Sequence, residues 1–161
     1  VASIGKAILF PQAVEALGKN GHNLSCEVWW SASHPFKSSL TGQSAGELAE
    51  GFTKATGRPW TQPIGFVHAL FEVAVDVMKR ADPTDSEAVI AAIAASSIET
   101  IVGKVAWDGA NLPPFAGRNV AKTPLVGGQW RLKDGGGYDL VIVDNQTAPN
   151  IPTGGKMEAI G

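Results

Sequence analysis

The sequence predicts an α/β fold, and three observations carry that expectation. A helix-length stretch lies near the middle of the chain, Thr61 to Ala81, reading TQPIGFVHALFEVAVDVMKRA. Short runs suited to strands lie on both sides of it, LSCEVWW before and TIVGKVAW, LVGGQWRL and YDLVIV after. Helical and strand patterns interleave along the chain instead of falling into separate blocks, which is the order of a layered mixed fold.

The central stretch organises the rest. Val67, Leu70, Phe71, Ala74, Val77, Met78 and Ala81 recur three and four apart, the spacing of one helical face, while His68, Glu72, Asp76 and Lys79 make a polar stripe on the other side. Phe66, Val73 and Val75 widen the apolar sector, so the helix is expected to be mostly buried on that face with the polar stripe in water. Pro63 suits the first helical turn and Asp82-Pro83 ends the helix. Residues 62 to 66, a proline- and glycine-flanked entry with free N–H groups, are expected to line a ligand cleft as well as to start a core helix.

Before that helix, VASIGKAI (residues 1 to 8) reads as a short strand entering a loop at Gly5, and Pro11 to Leu17 as a short helix capped by Gly18. Leu24 to Trp30 alternates, with Leu24, Cys26, Val28 and Trp30 on one face of a strand. Ser31 to Gly42 is polar and irregular. Ser44 and Glu47 have capping-box spacing and open a helix to about Thr56, with Leu48 and Phe52 inward and Gly57 as its stop. Past the central helix, Thr84 and Glu87 suggest a second capping box, opening a helix that carries Val89, Ile90 and Ile93. Thr100 to Trp107 reads as one strand. Leu125 to Leu132 and Tyr138 to Val143 form a hairpin around Lys133-Asp134-Gly135-Gly136-Gly137, and the tail from Asn145 is expected to be loosely ordered.

The bulk properties bound the function. The 161 residues suit one domain or two small lobes, and 44% hydrophobic with 17% charged residues marks a globular chain. A net charge of -2 gives no electrostatic reason to expect nucleic acid or an anionic membrane as partner. No apolar run approaches the roughly 20 residues of a membrane span. The first residues do not read as a signal peptide, since Lys6 interrupts the first apolar run. A single cysteine, Cys26, excludes an internal disulfide.

Motifs for catalysis are weak. Gly42-Gln43-Ser44-Ala45-Gly46 fits a nucleophile elbow, but no strand pattern precedes it and no histidine follows His68, so Ser44 is read as a helix cap. His22, Cys26, His34 and His68 share no metal-ligand spacing, Gly154-Gly155-Lys156 lacks the earlier glycine of a phosphate loop, and no dinucleotide fingerprint is present. No catalytic residue, metal site or cofactor is therefore assigned. Lys6 stands apart, a lysine in a glycine-containing loop just past a strand, where α/β folds place ligand contacts.

These residues carry a resemblance. The order from Leu24 to Met78, then SSIETIVGKVAWDGANL with its Thr, Gly and Trp-Asp, then LVGGQWRLKDGG ending on Gln129-Trp130, resembles the solute-binding proteins of branched-chain amino-acid-type ABC transporters. The resemblance implies part of a type I periplasmic-binding-protein fold, the C-terminal portion, with pieces of two α/β lobes joined by hinge crossings. Residues 1–32 and 126–161 would belong to the second lobe and residues 33–125 to the first. It implies an extracytoplasmic, periplasmic receptor that is not an enzyme, and whose partners are a small solute and a membrane permease. The missing N-terminal portion, or a second copy of the chain, would cover the faces left open. A gap-free alignment sets Lys6 where amino-acid binders of that family carry a glutamate against the ligand ammonium. A lysine there repels an ammonium and attracts a carboxylate, so the expected solute is carboxylate-bearing, aromatic or otherwise apolar. Lys6, Ile64, Gly65 and Phe66 are the expected ligand contacts. Two other readings remain: a ligand-sensing domain of a receptor or regulator, and a serine hydrolase using Ser44.

Overall fold

The computed structural model describes residues 8–110, 112–116 and 119–160. Lys6 and the strand expected over residues 1 to 8 therefore lie outside the described residues, apart from Ile8. The elements are α1 (Pro11–Glu15), a 3-10 turn (Gly18–Gly21), β1 (Ser25–Val28), α2 (Ala45–Thr56), α3 (Pro63–Arg80), α4 (Ser86–Ala94), β2 (Ser97–Thr100), β3 (Gly103–Ala106), β4 (Val126–Leu132) and β5 (Tyr138–Asp144).

Two groups of elements emerge. In the first, β1, β4 and β5 form an antiparallel sheet in the order β1-β4-β5, with Val28 opposite Val126 and Leu132 opposite Tyr138. The β4–β5 connection is the hairpin expected, and Gly136 and Gly137 supply the positive φ that its turn requires. Ile8, Leu9, Val14, Leu24, Cys26, Trp130 and Tyr138 make one buried cluster on this sheet, and Val28, Val126, Ile142, Ala148 and Ile151 make another. In the second group α2 and α3 pack with the β2–β3 hairpin around Trp30, Ala45, Ala49, Ala69, Ile101, Val102 and Val105, and α4 packs on α3. The alternation of Leu24, Cys26, Val28 and Trp30 holds, all four being buried. Trp30, one residue beyond Trp29 after β1, leaves the sheet and plugs the helical cluster.

The capping box at Ser44 is present in full. The Ser44 hydroxyl accepts from the Glu47 N–H, the Glu47 carboxylate accepts from the Ser44 N–H, and Gly57 ends the helix in the left-handed region. Ala45 and Ala49 are the buried residues of α2, with Leu48 and Phe52 half-buried. At α4 the cap is Asp85, whose carboxylate takes the N–H groups of Glu87 and Ala88, while Thr84 bonds back to Asp82. Thr84 is thus displaced as a cap by an acid one residue nearer the helix. The strand expected over 100 to 107 is a two-stranded hairpin, Ser97 paired with Ala106, folded at Ile101-Val102. The tail is held rather than loose. Asn23 donates to the Ala159 carbonyl, Gln129 pairs with the backbone of Glu158, and Arg131 donates to the Lys156 carbonyl.

The largest departure is the orientation of α3. Its boundaries are close to those expected, but its faces are turned round. Val67, Leu70, Phe71 and Met78 are 54, 66, 61 and 62% exposed, while Glu72 is 1% exposed. The polar residues are drawn inward because partners wait there. Glu72 accepts from the N–H (2.5 Å) and hydroxyl (2.9 Å) of Ser39 and from the N–H of Ile101 (3.0 Å), and His68 pairs with the Ser38 hydroxyl at 2.7 Å. Three hydrogen bonds to a carboxylate outweigh the preference of that stripe for water. Val67, Leu70, Phe71 and Met78 face outward, and among the described residues nothing covers them, while Val77 of the same expected face is buried and Lys79 of the expected polar stripe stays exposed.

Candidate functional site

The residues from Pro59 to Phe66, between α2 and α3, meet the end of β1 where the two groups of elements touch. Gln62 occupies the N-cap position of α3 with helical φ and ψ and makes no side-chain cap. Its fully buried amide turns instead to the end of β1, accepting from the Trp29 N–H at 2.8 Å and donating to the Glu27 carbonyl at 3.1 Å. Pro63 follows at the first helical position, where its missing N–H has no consequence. The entry is less open to anions than its sequence suggests, because the N–H groups of Ile64 and Gly65 already reach the carbonyls of Thr61 and Gln62.

Gly65 is buried, and a Cβ added there would overlap the indole ring of Trp30. The space at Gly65 is thus occupied by tryptophan, and glycine is what lets α3 lie against it. Trp30 is held further by Trp60 in an edge-to-face contact at 5.7 Å and by a bond from its indole N–H to the Ile101 carbonyl. Ile64 and Phe66 are half-buried against the same cluster, and Phe66 meets Trp29 edge-on at 6.2 Å. The structure therefore brings Ile64, Gly65 and Phe66 together at the joint between the two groups.

Beside this joint lies a cleft of about 220 Å³ with one wall from each group. Leu9, Pro11, Trp130, Tyr138 and Leu140 form the sheet wall, and Thr53, Trp60, Thr61 and Gln62 the helical wall. Leu9, Trp60, Trp130 and Leu140 give it apolar and aromatic surface, and Thr53, Thr61, Gln62, Tyr138 and the Lys133–Asp139 pair supply polar groups. At the rim Lys133 and Asp139 pair at 3.4 Å, so the described lining brings no net charge. The Trp130 indole N–H donates to the Ile8 carbonyl at 2.7 Å, which fixes the chain two residues downstream of Lys6. The expected entry at 62 to 66 reaches this cleft through Gln62. Trp60 and Thr61, just upstream, were not assigned from sequence. Their signal was a Trp-Thr-Gln run between Pro59 and Pro63, too stiff and too aromatic for an ordinary linker.

A larger open groove, about 590 Å³, runs past Phe36, Lys104, Asp108, Lys122 and Asn150. Its polar lining is exposed or half-exposed; among the described residues neither it nor the smaller cleft is lined by the expected contacts Ile64, Gly65 and Phe66, and the smaller cleft is the better candidate because it lies between the two groups of elements and takes in Gln62. Ser44 is engaged with Glu47 as a cap and pairs with no histidine. Among the described residues no group of three or more His, Cys, Asp or Glu side chains could hold a metal ion, and no helix is long and apolar enough to cross a membrane.

No protein-family model and no curated protein matches the chain. Solved structures do match. An ABC-type branched-chain amino acid transporter protein from Rhodopseudomonas palustris is 18% identical with a TM-score of 0.64, over 96% of this chain and 38% of its own. A leucine-binding protein from Thermotoga maritima is 16% identical with a TM-score of 0.62, over 89% and 37%. A solute-binding protein of an ABC transporter from Rhodopseudomonas palustris, solved with 3,4-dihydroxybenzoic acid, is 16% identical with a TM-score of 0.54, over 80% and 33%. The chain has the α/β fold of these solute-binding proteins and spans little more than a third of their length, which is the fold the sequence resemblance implied.

Proposed function

We propose that this chain is part of the extracytoplasmic solute-binding component of an ABC importer, which holds a small carboxylate-bearing solute between two lobes and presents it to a membrane permease. The observation that carries the reading is the fold shared with solute-binding proteins over nearly the whole chain. In this reading residues 1–32 and 126–161 belong to one lobe, residues 33–125 to the other, and the protein works in the periplasm. Its mechanism is reversible binding with hinge closure.

Lys6 is the proposed partner of the solute carboxylate, lying three residues upstream of Leu9 on the sheet wall of the cleft. Ile64, Gly65 and Phe66, the other proposed contacts, follow Gln62 of the helical wall, with Gly65 against Trp30 and Phe66 against Trp29. An aromatic or otherwise apolar acid suits the Trp60 and Leu9 lining, and an ammonium beside Lys6 would meet like charge in a partly desolvated cleft. The test is calorimetry on the intact receptor with 3,4-dihydroxybenzoic acid, benzoic acid and leucine. The acids are expected to bind, and Lys6→Ala to weaken them by about 1.5–3 kcal/mol, the worth of a hydrogen bond to a charged group. Tight leucine binding with no response to either acid would overturn the ligand assignment.

A further inference from the structure

We propose that Gln62 is a positioning residue that sets the angle between α3 and the β1-β4-β5 sheet, and through it the opening of the cleft. The hydrogen-bond pattern motivates this. Among the described residues, the two bonds from the Gln62 amide to Trp29 and Glu27 are the only hydrogen bonds joining α3 to that sheet. Otherwise α3 meets the end of β1 through aromatic surfaces, Phe66 on Trp29 and Gly65 on Trp30. Aromatic edges can slide over one another with little loss. An amide that accepts from one backbone group and donates to another two residues away, as a neighbouring strand would, loses at least one bond when the helix tilts.

The location supports the same role. Gln62 is buried, sits at the N-cap position without capping, and lines the cleft. A glutamine that served the helix would bond to the N–H groups of α3, and this one forgoes them for β1. One side chain thereby touches the candidate site on one side and fixes the two walls of that site on the other. The consequence for solute binding rests on the functional reading above. The mechanical role does not.

Spin labels at Thr53→Cys and Lys133→Cys report the width of the cleft from its two walls. Cys26 is buried, with its thiol pushed up to about 12, and does not label. Pulsed dipolar spectroscopy should give one narrow distance distribution with Gln62 intact and a broader or longer one in Gln62→Ala and in Gln62→Met, which keeps the side-chain length. Gln129→Ala removes another buried amide, away from this joint, and should leave the distribution narrow. Folded Gln62 variants with an unchanged distribution would overturn the proposal. Hydrogen exchange on the unsubstituted chain needs no variant: the Trp29 amide should be protected like a strand amide, and exchange at a loop rate would also overturn it. A thermal-shift titration with 3,4-dihydroxybenzoic acid and leucine on the intact receptor separates the two readings. A broadened distribution with no response to any solute supports the Gln62 role and counts against the solute site. An unchanged distribution with solute bound does the reverse.

Discussion

Glu72 shows how much one side chain decides in this chain. Its carboxylate ties the loop after Trp30 and the β2–β3 turn to α3, so removing it leaves the N–H of Ile101 unpaired in the interior, while Ser39 is exposed and turns to water. An unsatisfied buried donor costs about 1–3 kcal/mol, and Glu72→Ala is expected to destabilise by about that amount in a urea titration. Leu70→Ala, on the exposed stripe, should stay within about 0.5 kcal/mol. Equal losses at the two positions would contradict the orientation of α3. His34 gives a pH signature. Its Nδ1 accepts from the Ser31 N–H, its Nε2 has no partner among the described residues, and burial lowers its pKa from 6.5 to about 4. The unfolded chain therefore takes up the proton first as pH falls. His34 should cause no stability change above pH 6.5, a progressive loss between about 6.5 and 4, and no further change below. At about 1.4 kcal/mol per pH unit the loss comes to about 3.5 kcal/mol, and His34→Gln should flatten that part of the pH profile. An unchanged slope in the variant would assign the acid sensitivity elsewhere.

At the scale of elements, Gly65 sets two effects against each other. Alanine in place of a helical glycine usually gains about 1 kcal/mol from propensity, but here its methyl group would enter the Trp30 ring, which is itself fully buried. Overpacking of this kind costs about 1–3 kcal/mol or more, so Gly65→Ala is expected to be net destabilising, read from the midpoint of thermal unfolding. A raised midpoint would mean that Trp30 can move. The same helix marks where sequence reasoning stops. The box at Ser44, the stop at Gly57 and the β4–β5 hairpin were legible because their signals are local, a few residues bonding to one another. The period of α3 was also legible, and its length nearly so. Which side faces inward was not, because it depends on Ser38, Ser39 and Ile101, which bring hydrogen-bond partners from distant parts of the chain. For the same reason Gln62, whose partners lie on β1, was given no role of its own, although it is the residue of the expected entry at 62 to 66 that lines the cleft.

At the scale of the molecule, α3 is apolar on its outer side and packed on its inner side, the profile of a helix between two layers. One layer is present. Among the described residues the helical group has only the two short strands of the β2–β3 hairpin for a sheet, and a two-stranded hairpin gives three helices little to cover. Val67, Leu70, Phe71 and Met78 therefore leave a contiguous apolar stripe of a kind that folded monomers rarely expose. The solved structures that share the fold are longer, this chain spanning 38% of one and 37% of another, so their chains hold further material around the same framework. The 161-residue chain on its own is expected to bury the stripe against a second copy or to bind a hydrophobic dye there. Sedimentation velocity at tens of micromolar with and without Leu70→Glu and Phe71→Lys reads this directly. The double variant should move the chain toward monomer and abolish dye binding while leaving its unfolding midpoint nearly unchanged, since neither side chain contributes to the inner packing of α3. A monodisperse unsubstituted monomer that binds no dye would mean that the stripe is tolerated in water. The outward face of α3 would then need no partner, and the case for a covering layer would fall with it.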